Sequence, residues 1–288
     1  MYMVTMLCNP AKPVLKPATV EMLRNAWGGN DPRWLSPDIA VEFSIPSIPT
    51  NRWAVWKEMQ EIAVDLVVQP VDGRRKQVLL ADMDSTIIQQ ECIDELASEA
   101  GIGAEVAKIT ARAMNGELGF EESLMQRVML LKGLNSSVIE TVLANRITLM
   151  PGAKELLSIM KGSGAYAALV SGGFTAFTKM VAQQLGFDEN RGNSLLIENG
   201  KLTGDVAMPI LGRDAKVTAL SEITDRLGLR ADQVMAVGDG ANDLGMLKAA
   251  GAGVALHAKP YVAEQCDIRI NNGDLTALLY IQGYSQAE

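Results

Sequence analysis

Asp82 and Asp84 stand two residues apart in Asp82-Met83-Asp84-Ser85-Thr86, directly after the apolar run Val78-Leu79-Leu80-Ala81. If the chain stays extended, both side chains point the same way. Two close carboxylates repel, so they need a cation or a shared proton. Oxygen ligands of this kind suit Mg²⁺, which takes one or two carboxylates and keeps places for phosphate oxygens and water. The chemistry such a pair can do is phosphoryl transfer. Asp82 attacks phosphorus and becomes an acyl phosphate. Asp84 protonates the leaving alkoxide, then activates the water that hydrolyses the intermediate. An exposed turn with a helix cap has the same two letters, but a buried strand end is an expensive place for two charges.

Three further clusters offer what that chemistry lacks. Ser171-Gly172-Gly173 provides a hydroxyl and glycines before a helix start, a seat for phosphate. Lys216 precedes another helix and offers a fixed cation for the transferring group. In Gly238-Asp239-Gly240-Ala241-Asn242-Asp243, Asp239 reads as a metal ligand and Asp243 as the group behind it that orients the site. A dinucleotide loop is excluded there, because Asp243 stands where a third glycine belongs and the loop is acidic. Taken singly, each cluster is also what an ordinary strand-to-helix turn shows.

The elements around these clusters predict how they meet. Short apolar runs at 78–81, 167–170, 234–237 and 252–256 alternate with helical stretches at 153–161, 176–185, 216–227 and 243–250. Such alternation predicts an α/β fold with a parallel sheet covered on both faces. The ligand site of such a sheet lies at the carboxyl ends of its strands, where the polar clusters fall. Residues 90–149 interrupt the pattern with about four amphipathic helices, a helical cap inserted after the first strand. The core is then 73–89 and 150–288.

Residues 1–72 differ in composition. All four tryptophans and eight of the 11 prolines lie before Val71, but only two of the 26 glycines do. They read as a small α+β domain: strand 3–7, helix 19–26, strand 39–45, helix 52–65, strand 66–69. Asp72-Gly73-Arg74-Arg75-Lys76-Gln77 reads as a linker whose cations are solvated.

Composition removes other classes. Net charge is −8, which argues against a nucleic-acid partner. Cys8, Cys92 and Cys266 are odd in number and scattered, so reduced thiols in a cytoplasmic protein are expected. No apolar run is long enough for a membrane span. The single histidine, His257, leaves no Ser-His-Asp triad and no zinc site. No Gly-x-x-x-x-Gly-Lys-Ser/Thr is present, so a P-loop is excluded.

In this order, Asp-x-Asp-x-Thr, Ser, Lys and Gly-Asp-(x)n-Asp, the chain resembles the haloacid-dehalogenase superfamily of phosphotransferases from about Val78 to Asp274. Ser171-Gly172-Gly173-Phe174 and Asn199-Gly200-Lys201-Leu202-Thr203-Gly204 add to the likeness. The resemblance implies a Rossmann-like core with a cap. It implies Mg²⁺ on Asp82, Asp239 and the backbone carbonyl of Asp84, and phosphate held by Ser171, Gly172, Lys216 and Asn242. It further implies O-phospho-L-serine as substrate, hydrolysed to L-serine and phosphate in the last step of serine synthesis. Glu91 then takes the substrate amine, Arg127 its carboxylate, and Met114 and Phe120 close the cap. An ammonium and a carboxylate set apart from a phosphate call for such an anion and such a forked cation. Another small phosphomonoester, or transfer to another acceptor, stays open at this point. A monomer or homodimer is expected. Related chains often carry an ACT-like domain ahead of the core; residues 1–70 read one strand short of it.

Overall fold

A computed structural model describes residues 1–114 and 117–286, with Met114 described by its backbone only. The closing role expected of the Met114 side chain therefore lies outside the described residues. No helix among them is long and apolar enough to cross a membrane.

Six parallel strands form the main sheet. In spatial order they are Ile268–Ile270, Ala252–Leu256, Val234–Gly238, Val78–Ala81, Tyr166–Phe174 and Glu189–Asn193. All neighbouring pairs run parallel. The four inner apolar runs are buried because helices cover both faces: Ala153–Gly162, Thr175–Leu185, Arg213–Leu227 and Leu244–Ala249. The chain runs outward in one direction from Val78–Ala81 and then in the other from Val234–Gly238. The crevice between these two strands is the switch point where such sheets bind ligands.

Two outer strands, 189–193 and 268–270, escape sequence reading. Glu189-Asn190-Arg191-Gly192-Asn193 is polar and carries no alternation, and Ile268–Ile270 is too short to show a period. The strand Tyr166–Phe174 also runs through Ser171-Gly172-Gly173 to Phe174, where a turn was expected; its pairing register shifts between Val170 and Phe174.

The cap carries four helices among the described residues, Cys92–Glu99, Gly103–Met114, Phe120–Leu130 and Ser137–Asn145. A hairpin, Leu195–Glu198 with Lys201–Val206, joins them from the far side of the chain. Gly133 N donates to Leu202 O (2.8 Å), and Leu202 N to Leu134 O (2.9 Å). These bonds tie the hairpin to the end of the third cap helix.

The N-terminal residues form a four-stranded antiparallel sheet: Arg33–Ser36, Ala40–Ile45, Tyr2–Leu7, Asp65–Pro70 in spatial order. Helices Pro17–Trp27 and Arg52–Glu61 cover one face. The expectation of a missing strand is corrected by Arg33–Ser36, four residues between Pro32 and Pro37 that are too few to show a pattern. The second helix ends at Glu61 rather than Asp65, because Ala63 takes a left-handed φ of 57° and turns the chain into the last strand.

Alternation assigns the two faces of this sheet. Val4, Met6, Val41, Phe43, Leu66 and Val68 face its helices; Leu7, Ala40 and Val67 join the core of the main domain. Asp65, fully buried, accepts backbone N–H bonds from Asn271 (3.0 Å), Asn272 (2.9 Å) and Gly273 (2.7 Å). The connecting cations are not simply solvated, as expected, but contact both parts. Arg74 pairs with Glu42 (2.8 Å), Arg75 stacks on Tyr284 (4.1 Å), and Lys76 donates to Asp232 O (2.8 Å). All three cysteines are free and buried.

Candidate active site

Asp82 leaves the end of Val78–Ala81, and its N–H still donates to Val237 O across the crevice (3.0 Å). Asp239 leaves the adjacent strand end. The ligand oxygens of Asp82, Asp239 and Asp243 all lie within 4.8 Å of one another. Lys216 lies beneath them, only 2 % exposed. Its ammonium contacts Asp82 Oδ1 (2.7 Å) and Asp243 Oδ1. A lysine buried to this degree is tolerated because two carboxylates compensate its desolvation.

The neighbours of each carboxylate divide the work between its oxygens. Asp82 Oδ1 also accepts from Met83 N (2.8 Å). Asp243 Oδ2 accepts from Gly240 N (2.9 Å), so both Asp243 oxygens are engaged by the protein. Thr86 Oγ1 donates to Asp239 Oδ1 (3.3 Å). Asp84 accepts from Cys92 N (2.9 Å) and from the Ser171 hydroxyl (3.3 Å).

The glycines are needed for close approach. A Cβ on Gly173 would lie 2.6 Å from the Asp84 carboxylate, and one on Gly172 would lie 2.8 Å from the Phe120 ring. These contacts bring the phosphate-seat segment against both the acid/base candidate and the cap.

Electrostatics follow from burial and crowding. Burial, then the charge of Asp243, holds Asp82 well above the usual carboxylate range, against the pull of Lys216. Burial, then Glu91, pushes Asp84 up to about 6. Burial, then Asp243 and Glu91, pushes Asp239 up to about 7. Desolvation works against the charge of Lys216, but Asp243 and Asp82 outweigh it and raise its pKa. With protein groups alone, this site holds more negative charge than it can stabilise. Hard oxygen donors with surplus negative charge fit a divalent cation such as Mg²⁺.

One cavity of about 140 Å³ collects most of the expected residues. Asp82, Asp84, Ser171, Gly172, Asp239 and Asn242 line its floor, and Glu91, Phe120 and Arg127 come from the cap side. Ser85, at a left-handed φ of 55°, helps turn the chain back after Asp84, and its hydroxyl holds Glu91 (2.7 Å). Arg127 Nε donates to Ser123 O (3.2 Å); burial lowers its pKa, opposed by Asp94, Glu91 and Asp84.

Sequence reasoning missed two contributors to the geometry, Asn193 and Lys259, and gave a third, Thr86, no role. Thr86 stands in the Asp-x-Asp-x-Thr motif, but its contact with Asp239 is made by the turn at Ser85 and not by strand alternation. Asn193 was not legible: its amide donates to Gly172 O (2.8 Å) and its oxygen accepts from Leu211 N (2.7 Å), joining two segments distant in sequence. Lys259 also lines the cavity and carries no motif.

Residues 79–248 match the family model of haloacid dehalogenase-like hydrolases. The phosphoserine phosphatase of Archaeoglobus fulgidus is 45% identical over 77% of this chain, which spans 65% of that relative's length. A haloacid dehalogenase family hydrolase from Salmonella enterica serovar Typhi superposes with a TM-score of 0.87 at 29% identity, covering 98% of each chain. A phosphoserine phosphatase solved as a phospho-aspartyl intermediate analogue superposes with a TM-score of 0.67 at 43% identity, covering 71% of this chain and 98% of its own. The family match spans more than half of the chain and includes the switch-point carboxylates: this protein belongs to the haloacid dehalogenase-like hydrolases.

Proposed function

We propose that this chain hydrolyses O-phospho-L-serine to L-serine and phosphate, with Mg²⁺ and through an aspartyl phosphate on Asp82. The observation that carries this reading is one cavity lined by Asp82, Asp84 and Ser171 on one side and by Glu91 and Arg127 on the other. A phosphate, an ammonium and a carboxylate each find a chemical counterpart there. The 45% identical A. fulgidus phosphoserine phosphatase supports the same substrate.

Lys216 and Met83 N occupy Asp82 Oδ1, leaving Oδ2 to attack phosphorus in line with the seryl oxygen. As that P–O bond breaks, Asp84 gives its proton to the leaving seryl oxygen. Water then enters the serine's place; Asp84 takes its proton, and the hydroxide displaces Asp82 from phosphorus. A pKa of about 6 suits a group that must donate and then accept near neutrality. Ser171, the amide of Gly172, Lys216 and Asn242 hold the phosphoryl oxygens. Glu91 takes the ammonium, Arg127 forks onto the carboxylate, and Phe120, with Met114, excludes water. Asp82, Asp239 and the Asp84 carbonyl would hold Mg²⁺, with Asp243 orienting them. Bound there, Mg²⁺ supplies charge neutralisation and polarises phosphoryl oxygens.

The domains we infer are an ACT-like module at 1–72, a core at 73–89 and 150–288, and a cap at 90–149. The βαββαβ order and the antiparallel sheet of the first segment support an ACT-like reading. A cytoplasmic place in serine synthesis, as monomer or homodimer, belongs to the same reading. Phosphate release from L-phosphoserine, with and without Mg²⁺ and beside p-nitrophenyl phosphate, tests the function. Rapid Mg²⁺-dependent release from phosphoserine is expected. A strong preference for another phosphomonoester would replace the substrate and keep the chemistry.

A further inference from the structure

The cavity floor is acidic. Asp82, Asp84 and Asp239 line it with Glu91, against two lining cations among the described residues, Arg127 and Lys259. The first is at the cap end, and Lys216 is buried below, between Asp82 and Asp243. Lys259 comes from the core side: its backbone N–H donates to Asp239 O (3.3 Å), and its charge works against the net upward shift of the Asp239 pKa. Its side chain is exposed. Lys259 also lines the adjoining cleft between cap and core, with Arg127, Arg213 and Asn242. It therefore lines both the cavity and the cleft beside it, with its side chain open to solvent.

The chain delivers Lys259 to this place by a strapped turn. His257 leaves strand Ala252–Leu256 with a left-handed φ of 46°. Its N–H donates to Ile270 O (2.7 Å), and its ring nitrogen Nε2 lies 2.7 Å from Gly273 O. Pro260 then starts a short helix with no freedom in φ. Both ends of the Ala258-Lys259 segment are thus held.

We propose that Lys259 is a phosphate-capture residue, drawing the dianion into the acidic cavity and holding inorganic phosphate on its way out. A mobile lysine head suits this task, since it must follow an oxygen in and out rather than clamp it. A solvent-exposed charge lining a cavity acts mainly on capture, with a marked dependence on ionic strength.

The inference rests on the phosphatase reading, and its test separates the two. With Mg²⁺ present, Lys259→Gln should raise KM for L-phosphoserine and for p-nitrophenyl phosphate alike, by about tenfold, with kcat within about twofold. The inhibition constant of inorganic phosphate should rise by a similar factor, and the fall of kcat/KM with added salt should flatten. Lys259→Arg should restore most of each effect. Unchanged phosphate inhibition and unchanged salt dependence in Lys259→Gln would overturn the proposal. So would a variant whose only change is tighter Mg²⁺ binding, because Lys259 would then serve only as a counter-charge to Asp239. Calorimetry of inorganic phosphate with the Mg²⁺-loaded wild type and Lys259→Gln reads the same role without any ester substrate. A Kd about tenfold weaker in the variant supports the proposal even if phosphoserine proves not to be the substrate, and an equal Kd overturns it.

Discussion

The floor of the cavity and its cap wall hold their charges in different ways. At the floor and directly beneath it, Asp82, Lys216 and Asp243 are buried and joined by direct contacts, and all of them stand on or next to regular elements of the sheet domain. On the cap wall, Glu91 is held by a serine hydroxyl, and Arg127 by a bond to a backbone carbonyl. The floor is pre-organised at the cost of crowding like charges, which suits the part of a reaction that never changes, the phosphoryl group. The wall reaches its groups through helices inserted after the first strand, which suits the part that distinguishes one substrate from another. Under the proposed function the difference separates chemistry from specificity: losses on the floor should fall on every phosphate ester, losses on the wall on one of them.

The sharpest break of that contrast is Asp82→Asn. Turnover of phosphoserine and p-nitrophenyl phosphate should both fall by roughly 10⁴-fold or more, because the proposed mechanism has no other group to form the intermediate. Circular dichroism should show the fold kept. Normal phosphate release from this variant would remove Asp82 as nucleophile.

Arg127→Ala is the corresponding change on the wall. Losing a charge-assisted forked bond costs roughly 1.5–3 kcal/mol, so kcat/KM for phosphoserine should drop by about 10- to 100-fold. A carboxylate-free ester should lose only a few-fold. Equal losses on both esters would place Arg127 outside the substrate's carboxylate site.

The smallest effect concerns the crowded floor itself. Asp84 and Asp239 have folded pKa values raised to about 6 and about 7. A raised carboxylate pKa means that the fold binds protons more tightly than the unfolded chain does. Stability from this source is complete below the unfolded value near 4 and is lost as pH rises through about 6 to 7. Mg²⁺ bound there would offset the charge that remains. Its effect on Tm, followed by differential scanning fluorimetry, should therefore be larger at pH 8 than at pH 5.5, by about 5 °C. An equal Mg²⁺ effect at both pH values would mean that the carboxylates are not crowded as the geometry implies.

Asp82, Ser171, Asp239 and the two strands 78–81 and 252–256 were legible because the signal is local. An unbroken apolar run must be a covered strand, and a polar residue at its end must face the crevice. Glu91 and Arg127 were legible only by resemblance, since alone they read as helix-surface charges. The strand Arg33–Ser36 was hidden because four residues show no period; it became visible through its ladder with Ala40–Ile45. Asp65 read as the end of a helix until the fold carried it to the Asn271–Gly273 backbone.

The sequence alone determined a parallel α/β core, the order of polar clusters at its strand ends and an inserted helical cap, because each follows from patterns within a few residues. Tertiary structure decided the rest. It buried Lys216 between two carboxylates, joined Asn193 to Gly172, attached the hairpin at 195–206 to the cap, and brought Lys259 to the cavity lining. Those placements depend on strand order and on contacts across tens to hundreds of residues, and only the folded chain holds such groups together against their desolvation and mutual repulsion.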